Sequence, residues 1–462
     1  MLYTSLLPTI LLLAVAAYFL GQRRAERVAS AAGGLRQLHS LPSHYGVFVA
    51  LCCALPGLAV FLVWMACEEQ VITAMVAAGL PEALRNLPAN ELSLVINEIK
   101  NVAFGGFTAS GGNPAVEAAA GSYLSHLHGV RNLVVAIALL TCLLPGWWAL
   151  GRIDKDLRAR NLVEGMARVV LFGCATVAVL TTIGIVLSIV FEALRFFQSV
   201  SPSDFLFGLQ WSPQIAMRAD QVGSSGAFGA VPVFVGTFLI ASIAMAVAIP
   251  VGLLSAIYLS EYAASTLRSW AKPALEILAG IPTVVYGFFA ALTVAPAIRD
   301  LGAMLGLPVA SESALAAGLI MGVMIIPFVS SLSDDVIHAV PQSLRDGSLA
   351  MGATRFETIR HVVVPAALPG IVGSILLAIS RAVGETMIVV MAAGLSANLS
   401  VNPLAAVTTV TVQIVTLLVG DQEFDSPKTL AAFALGLLLF FFTLILNFIA
   451  LRVVRRYREH YE

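Results

Sequence analysis

Nine stretches of this chain are apolar over the length a helix needs to cross a bilayer, about 20 residues. They lie at 4–20, 46–67, 132–151, 169–192, 231–259, 276–297, 313–332, 367–394 and 430–451. Inside a bilayer every backbone N–H and C=O must be satisfied by the protein, so each stretch is predicted to be a helix. Composition agrees. Only 11% of the 462 residues are charged and 59% are hydrophobic, whereas a soluble domain carries about 25% charged residues. The polar residues are too few to cover a soluble globule. The predicted fold class is all-α: a polytopic membrane protein with about nine transmembrane helices and lipid as its surroundings. The net charge of −1 gives no general attraction to nucleic acid, and none is expected as a partner.

The basic residues orient the spans. With the N-terminus outside, the segments 21–45, 152–168, 260–275, 333–366 and 452–462 face the cytoplasm and carry 18 Lys and Arg. The outer loops 68–131, 193–230, 298–312 and 395–429 carry 7. That asymmetry is a positive-inside signal and places the C-terminus in the cytoplasm. Arg23, Arg24 and Arg27 follow the first apolar run instead of preceding it. A signal peptide has the opposite order, so the run reads as an uncleaved anchor. The outer segment 68–131 is acidic. It is expected to form a cap with one amphipathic helix at 81–103, followed by a flexible glycine-rich run at 104–114.

Several chemistries find no residues to support them. A nucleotide-binding P-loop needs Gly-Lys-Ser/Thr, but the four lysines, Lys100, Lys155, Lys272 and Lys428, follow Ile, Asp, Ala and Pro. Any energy source must therefore come from a partner or an ion gradient. Cys52, Cys53, Cys67, Cys142 and Cys174 show no metal-ligand spacing and read as small apolar residues. His126 and His128 form an HxH pair without nearby cysteines or a carboxylate cluster, so no metal site is expected.

The cytoplasmic segment 341–366 is unusual for a loop between spans. Pro341 can begin a helix, Gly352 permits a sharp turn, and Ala353–Ile359 can form a second short helix before Pro365 and Pro369 re-enter the membrane. Such a pair of helices makes a rigid contact surface, or an interfacial hairpin lying on lipid. The loop resembles the EAA motif of bacterial ABC importer permeases. Asp346-Gly347-Ser348 stands for the triplet, Gly352 follows after three residues, and Val362-Val363-Val364-Pro365 follows after nine more. The triplet and the Ile/Leu positions are altered, while the spacing is intact. FLFGLQWSPQ at 205–214, PVGLLSAIYLSEYA at 250–263, AGIPTVVYGFFA at 279–290 and RAVGETMIVVMAAG at 381–394 are similar to segments of the phosphate permeases of that family. The resemblance covers 166–462, six spans. It implies a type I importer permease core there, with an N-terminal extension at 1–165.

The resemblance also implies partners. These are a second permease of the PstA type, an ATPase dimer of the PstB type that holds ATP and magnesium, and a periplasmic phosphate-binding protein. No cofactor is expected in this chain. Asp346, Gly347, Ser348, Gly352, Ala353, Thr354, Arg355, Phe356 and Pro365 would couple it to the ATPase.

An ionisable residue deep in a span is a functional candidate. Arg381 and Glu385, four residues apart, are expected to share one helix face. They form either a structural ion pair or an oxyanion site in which Arg381 donates and Glu385 keeps binding weak. The resemblance to phosphate permeases favours the second reading, with Thr386 as a further donor. Gly280, Pro282 and Gly287 are expected to interrupt the span 276–297 and turn Thr283 and Tyr286 toward the path. Glu192, Arg195 and Asp204 read as solvated charges at the outer mouth, and Trp211 as an interfacial anchor. The expected function is non-enzymatic import of inorganic phosphate across the inner membrane. A permease for phosphonate or molybdate, and a stand-alone carrier using Glu385 for protons, are the alternatives.

Overall fold

The computed structural model describes residues 5–81, 89–105, 114–213, 226–419 and 426–458. Residues 82–88 of the expected amphipathic helix and 106–113 of the glycine-rich run lie outside the described residues. Among those described, nine helices are long and apolar enough to cross a membrane. The chain forms two compact units, Met1–Leu180 and Thr181–Glu462.

The first unit contains α1 (Leu6–Ala32), α2 (Pro42–Gly79), α3 (Ala89–Ala103), α4 (Pro114–Gly151) and the start of α5 (Ala159–Ser199). The packing of α1 on α2 and of α2 on α4 depends on small residues. A Cβ on Gly46 would lie 2.7 Å from the Tyr18 carbonyl oxygen, and one on Gly146 would lie 3.2 Å from Cys53 Cβ. Close helix approach of this kind drives association where lipid supplies no hydrophobic force. Cys52, Cys53 and Cys142 are buried and all five thiols are free. The expected outer loop 68–131 is mostly helix, because α2 runs on to Gly79 and α4 begins at Pro114. Ile72, Val76 and Leu80 meet Val116, Ala120, Tyr123 and Leu127 in a second apolar cluster. Ion pairs Glu68–Arg131 (2.5 Å) and Glu69–Lys100 (2.6 Å) flank it.

In the second unit the end of α5 is followed by α6 (Pro202–Phe207) and a two-residue ribbon in which Trp211 pairs with Phe228. Then come α7 (Val231–Ile257), α8 (Ser265–Ala279), α9 (Thr283–Phe289), α10 (Ala295–Met304) and α11 (Ala314–Ala339). They are followed by α12 (Gln342–Ala350), α13 (Arg355–Thr358), α14 (Val364–Val383), α15 (Met387–Ala392), α16 (Val410–Val419) and α17 (Pro427–Arg458). The core is the contact of α7 with α11, onto which α14 packs. Glycines again set the approach: a Cβ on Gly252 would lie 2.8 Å from Val329 Cβ, and one on Gly318 2.7 Å from Ile243 Cβ.

Candidate functional site

Two of the expected spans are broken. The first break separates α8 from α9 at Gly280-Ile281-Pro282. Pro282 has no N–H to give the Leu278 carbonyl, which its helical partner would otherwise receive. That carbonyl accepts instead from the Ile281 amide (3.3 Å) and the Tyr286 hydroxyl (2.9 Å). Tyr286 is buried and Thr283, in the first turn of α9, is half-buried. Gly287 does not interrupt the helix as expected. It lies inside α9 against α15, where an added Cβ would sit 2.8 Å from Met391 Sδ. Its role is close packing.

The second break falls at Gly384-Glu385-Thr386, between α14 and α15. Arg381 occupies the last turn of α14 and is exposed, its guanidinium carbon 5.5 Å from the Phe328 ring centre. Glu385 Oε1 accepts from the amides of Met387 (3.1 Å) and Ile388 (3.5 Å), so its carboxylate serves the orphan donors that open α15. The expected shared helix face therefore does not form, because the helix ends between the two residues. No Arg381–Glu385 ion pair occurs among the described residues. Thr386 Oγ1 makes a long 3.4 Å bond to the Gly384 carbonyl. Thr411, at the start of α16, donates to the Glu385 carbonyl at 2.9 Å and braces the break.

Beyond the break, residues 393–409 are not helical. Gln413 organises this region. Its amide donates to the Leu395 carbonyl (2.8 Å) and Thr408 Oγ1 (3.2 Å), and its oxygen accepts from Trp211 Nε1 (2.8 Å). Trp211 is thus a buried strut rather than the expected interfacial anchor. Glu192 and Arg195 pair at 2.9 Å.

The loop 341–366 carries α12, a turn at Gly352 with φ of +89°, and α13. Thr354 and Glu357 form a capping box at the start of α13. The Ala353 amide donates to the Ser348 carbonyl (3.2 Å), Asp346 accepts from the Gln342 amide (3.1 Å), and Ser348 and Thr358 share a hydroxyl bond (2.9 Å). Gly347 is exposed, as are Phe356 (61%) and Met351 (89%) at the tip. The second short helix is not free-standing, and Pro365 is not a separate re-entry point. A π-helical turn, Ile359–Val363, carries α13 straight into α14, whose second residue is Pro365.

The pairing that holds the loop was missed in the sequence. Glu261, in a π-helical turn (Tyr258–Tyr262) after α7, accepts on Oε1 from Arg345 Nε (3.2 Å) and Nη2 (2.8 Å). Arg345 also donates to the carbonyls of Ile337 (2.8 Å) and Val340 (2.5 Å). Arg355 donates to the Glu261 carbonyl and lies over the Tyr262 ring at 5.3 Å. These groups line a cavity of about 660 Å³. Nearby, Asp334 of α11 is buried and receives Arg268 and Lys272 of α8, each at 3.0 Å. Hydrogen bonds to Asp335 and Asp334 hold the Lys272 ammonium above the usual lysine pKa. A usable signal was present: Glu261 and Asp334 are carboxylates beside apolar spans, on segments predicted to share one membrane side with those arginines.

Two family signatures match the chain. Residues 7–181 match a domain described as phosphate ATP-binding cassette transporter, and residues 248–459 match the binding-protein-dependent transport system inner membrane component. A probable ABC transporter permease, YqgH of Bacillus subtilis, is 32% identical over 66% of this chain and 94% of its own length. The phosphate transport system permease PstC of Mesorhizobium japonicum is 33% identical over 50% of this chain and 74% of its own. A bacterial alginate ABC transporter of known structure covers 63% of this chain and 96% of its own, at 15% identity and a TM-score of 0.44. The chain belongs to the binding-protein-dependent permeases of ATP-binding-cassette transporters, in the PstC branch, and carries the N-terminal domain of the 7–181 signature.

Proposed function

We propose that this chain imports inorganic phosphate across the inner membrane by alternating access, paired with a PstA-type permease. A periplasmic binding protein delivers the anion, and a PstB-type ATPase dimer, which carries the ATP and magnesium, docks on loop 341–366. The observation that carries the reading is the broken helix at Gly384–Thr386. It occupies Glu385 with α15 amides and leaves the Arg381 guanidinium with no carboxylate partner among the described residues. An arginine freed in this way is a permanently charged, planar donor suited to a tetrahedral oxyanion. Thr386 and Thr283 stand at the two breaks as secondary donors, and Tyr286 keeps the first break in shape. The names of the PstC relatives support phosphate over other oxyanions. The core is taken to begin near residue 166, with 1–165 as the extension, N-terminus outside and C-terminus in the cytoplasm.

The test is ATP-dependent uptake of labelled phosphate by proteoliposomes holding this chain, its second permease, the ATPase and the binding protein. Uptake should need every component and fall at least 100-fold in Arg381→Gln with the ATPase still bound. Competition by molybdate or phosphonate at phosphate-like concentrations would move the substrate assignment to that anion. Uptake by this chain alone under a proton gradient would overturn the importer reading.

A further inference from the structure

We propose that Glu261 is the positioning residue that transmits movement of loop 341–366 to the transport path. The proposal rests on the loop being the ATPase-coupling element. Both arms of the loop fasten to this one residue: α12 through Arg345 on the carboxylate, and α13 through Arg355 on the carbonyl. The carboxylate is one-tenth exposed and the Arg345 side chain 12% exposed, so solvent screens the pair little.

What lies beyond the fastening gives it a function. Glu261 lies in the π-helical turn that continues α7, and Arg345 also grips carbonyls at the end of α11. The chain joins the loop to α11 on one side and α14 on the other; Glu261 adds the end of α7, so the loop is tied to both helices of the central contact. An apolar cluster that includes Ala256, Ile337, Val340 and Val363 seals the same junction. The opposite ends of α7 and α11 both reach the segment that follows the second break. At the start of α11, Ser313 N donates to the Ala392 carbonyl (3.1 Å) and Ala314 N to the Ala405 carbonyl (3.1 Å). Near the start of α7, Thr237 Oγ1 accepts from Val410 N (3.1 Å). The 26 residues of α11 span about 39 Å at 1.5 Å per residue. α11 stays one continuous helix through Pro327 and packs along its length against α7, so displacing its Arg345-held end shifts the backbone around α15 and the break. Without the Glu261 carboxylate, α12 would lose its side-chain tie to the end of α7 and keep only its links to α11.

The experiment uses the complete reconstituted importer and reads phosphate moved per ATP hydrolysed. Glu261→Gln should lower that ratio at least tenfold, with hydrolysis within twofold of wild type and the ATPase still co-purifying. Glu261→Asp, one methylene shorter, should lower it at least threefold and serves alone if the Gln variant does not assemble. Hydrogen exchange in the assembled complex gives a readout independent of the substrate. Amides of 342–350 should exchange at least tenfold faster in the Gln variant than in wild type. A wild-type importer that hydrolyses ATP without moving phosphate would sink the substrate reading, and the exchange result would then decide the role of Glu261. An unchanged ratio together with unchanged exchange would overturn the proposal. So would parallel loss of hydrolysis, uptake and bound ATPase, which would mean a docking role instead.

Discussion

At the scale of single residues, much of this fold depends on what side chains omit. Gly236 has no Cβ, and one placed there would run into the Thr408 carbonyl. Gly236→Ala must therefore push α7 away from the 393–409 segment. Overpacking of this kind costs about 1–3 kcal/mol, and thermal unfolding of the detergent-solubilised protein should show a lower midpoint. Gln413 illustrates the opposite case, a side chain whose polar atoms are all engaged. Gln413→Leu keeps the volume but leaves the Trp211 N–H and the Leu395 carbonyl without their partner, at a cost of about 1–3 kcal/mol per buried group. The loss of a polar partner beside buried Trp211 should also appear as a blue shift of its fluorescence. Neither role is legible from sequence, because a membrane glycine or glutamine looks the same whether it packs, braces or faces lipid.

At the scale of elements, Pro282 opens the first break and Tyr286 takes up a carbonyl that the break exposes. In Pro282→Ala the missing N–H returns and the Leu278 carbonyl regains its helical donor. In Tyr286→Phe that carbonyl loses its 2.9 Å hydroxyl bond, at a cost of about 1 kcal/mol. The two changes should not add. In a double-mutant cycle on unfolding temperature, Tyr286→Phe should destabilise the wild-type protein and have little effect when combined with Pro282→Ala. The α8–α11 latch gives a second prediction. Asp334→Asn leaves Arg268 and Lys272 facing a neutral amide at a buried position and should cost about 2 kcal/mol, read as a fall in melting temperature. The sequence showed the first break, at Gly280 and Pro282, since those residues cannot sustain helix geometry. It did not show the second. Gly384 alone is a weak signal, and the break is sustained by Glu385 capping α15 and Thr411 holding the Glu385 carbonyl from 26 residues away.

At the scale of the whole molecule, the predicted orientation can be tested directly. In a cysteine-free background, Ser203→Cys should react with a membrane-impermeant maleimide on intact spheroplasts. Met351→Cys should react only after permeabilisation. The reverse pattern would invert the topology and remove loop 341–366 from the side where an ATPase could reach it. The first unit shows why loop length was misjudged in the sequence. The residues flanking the first spans are polar enough to resemble loops, yet α2 and α4 continue through them because Ile72, Val76, Val116, Tyr123 and Leu127 bury one another there, with the pairs Glu68–Arg131 and Glu69–Lys100 at the edge.

The sequence alone determined the solvent, the helical class, the number and approximate position of the spans, and the spacing within loop 341–366. Each follows from a local property, since apolar length, charge asymmetry and a glycine at a fixed interval need no knowledge of neighbours. Only the tertiary structure decided what the charged residues do. Arg381 and Glu385 read as a pair in sequence, but the broken helix separates them. Glu261 and Arg345, 84 residues apart, read as unrelated and are joined. The partner of a buried charge is chosen by which helix ends meet in space, and no spacing along the chain encodes that choice.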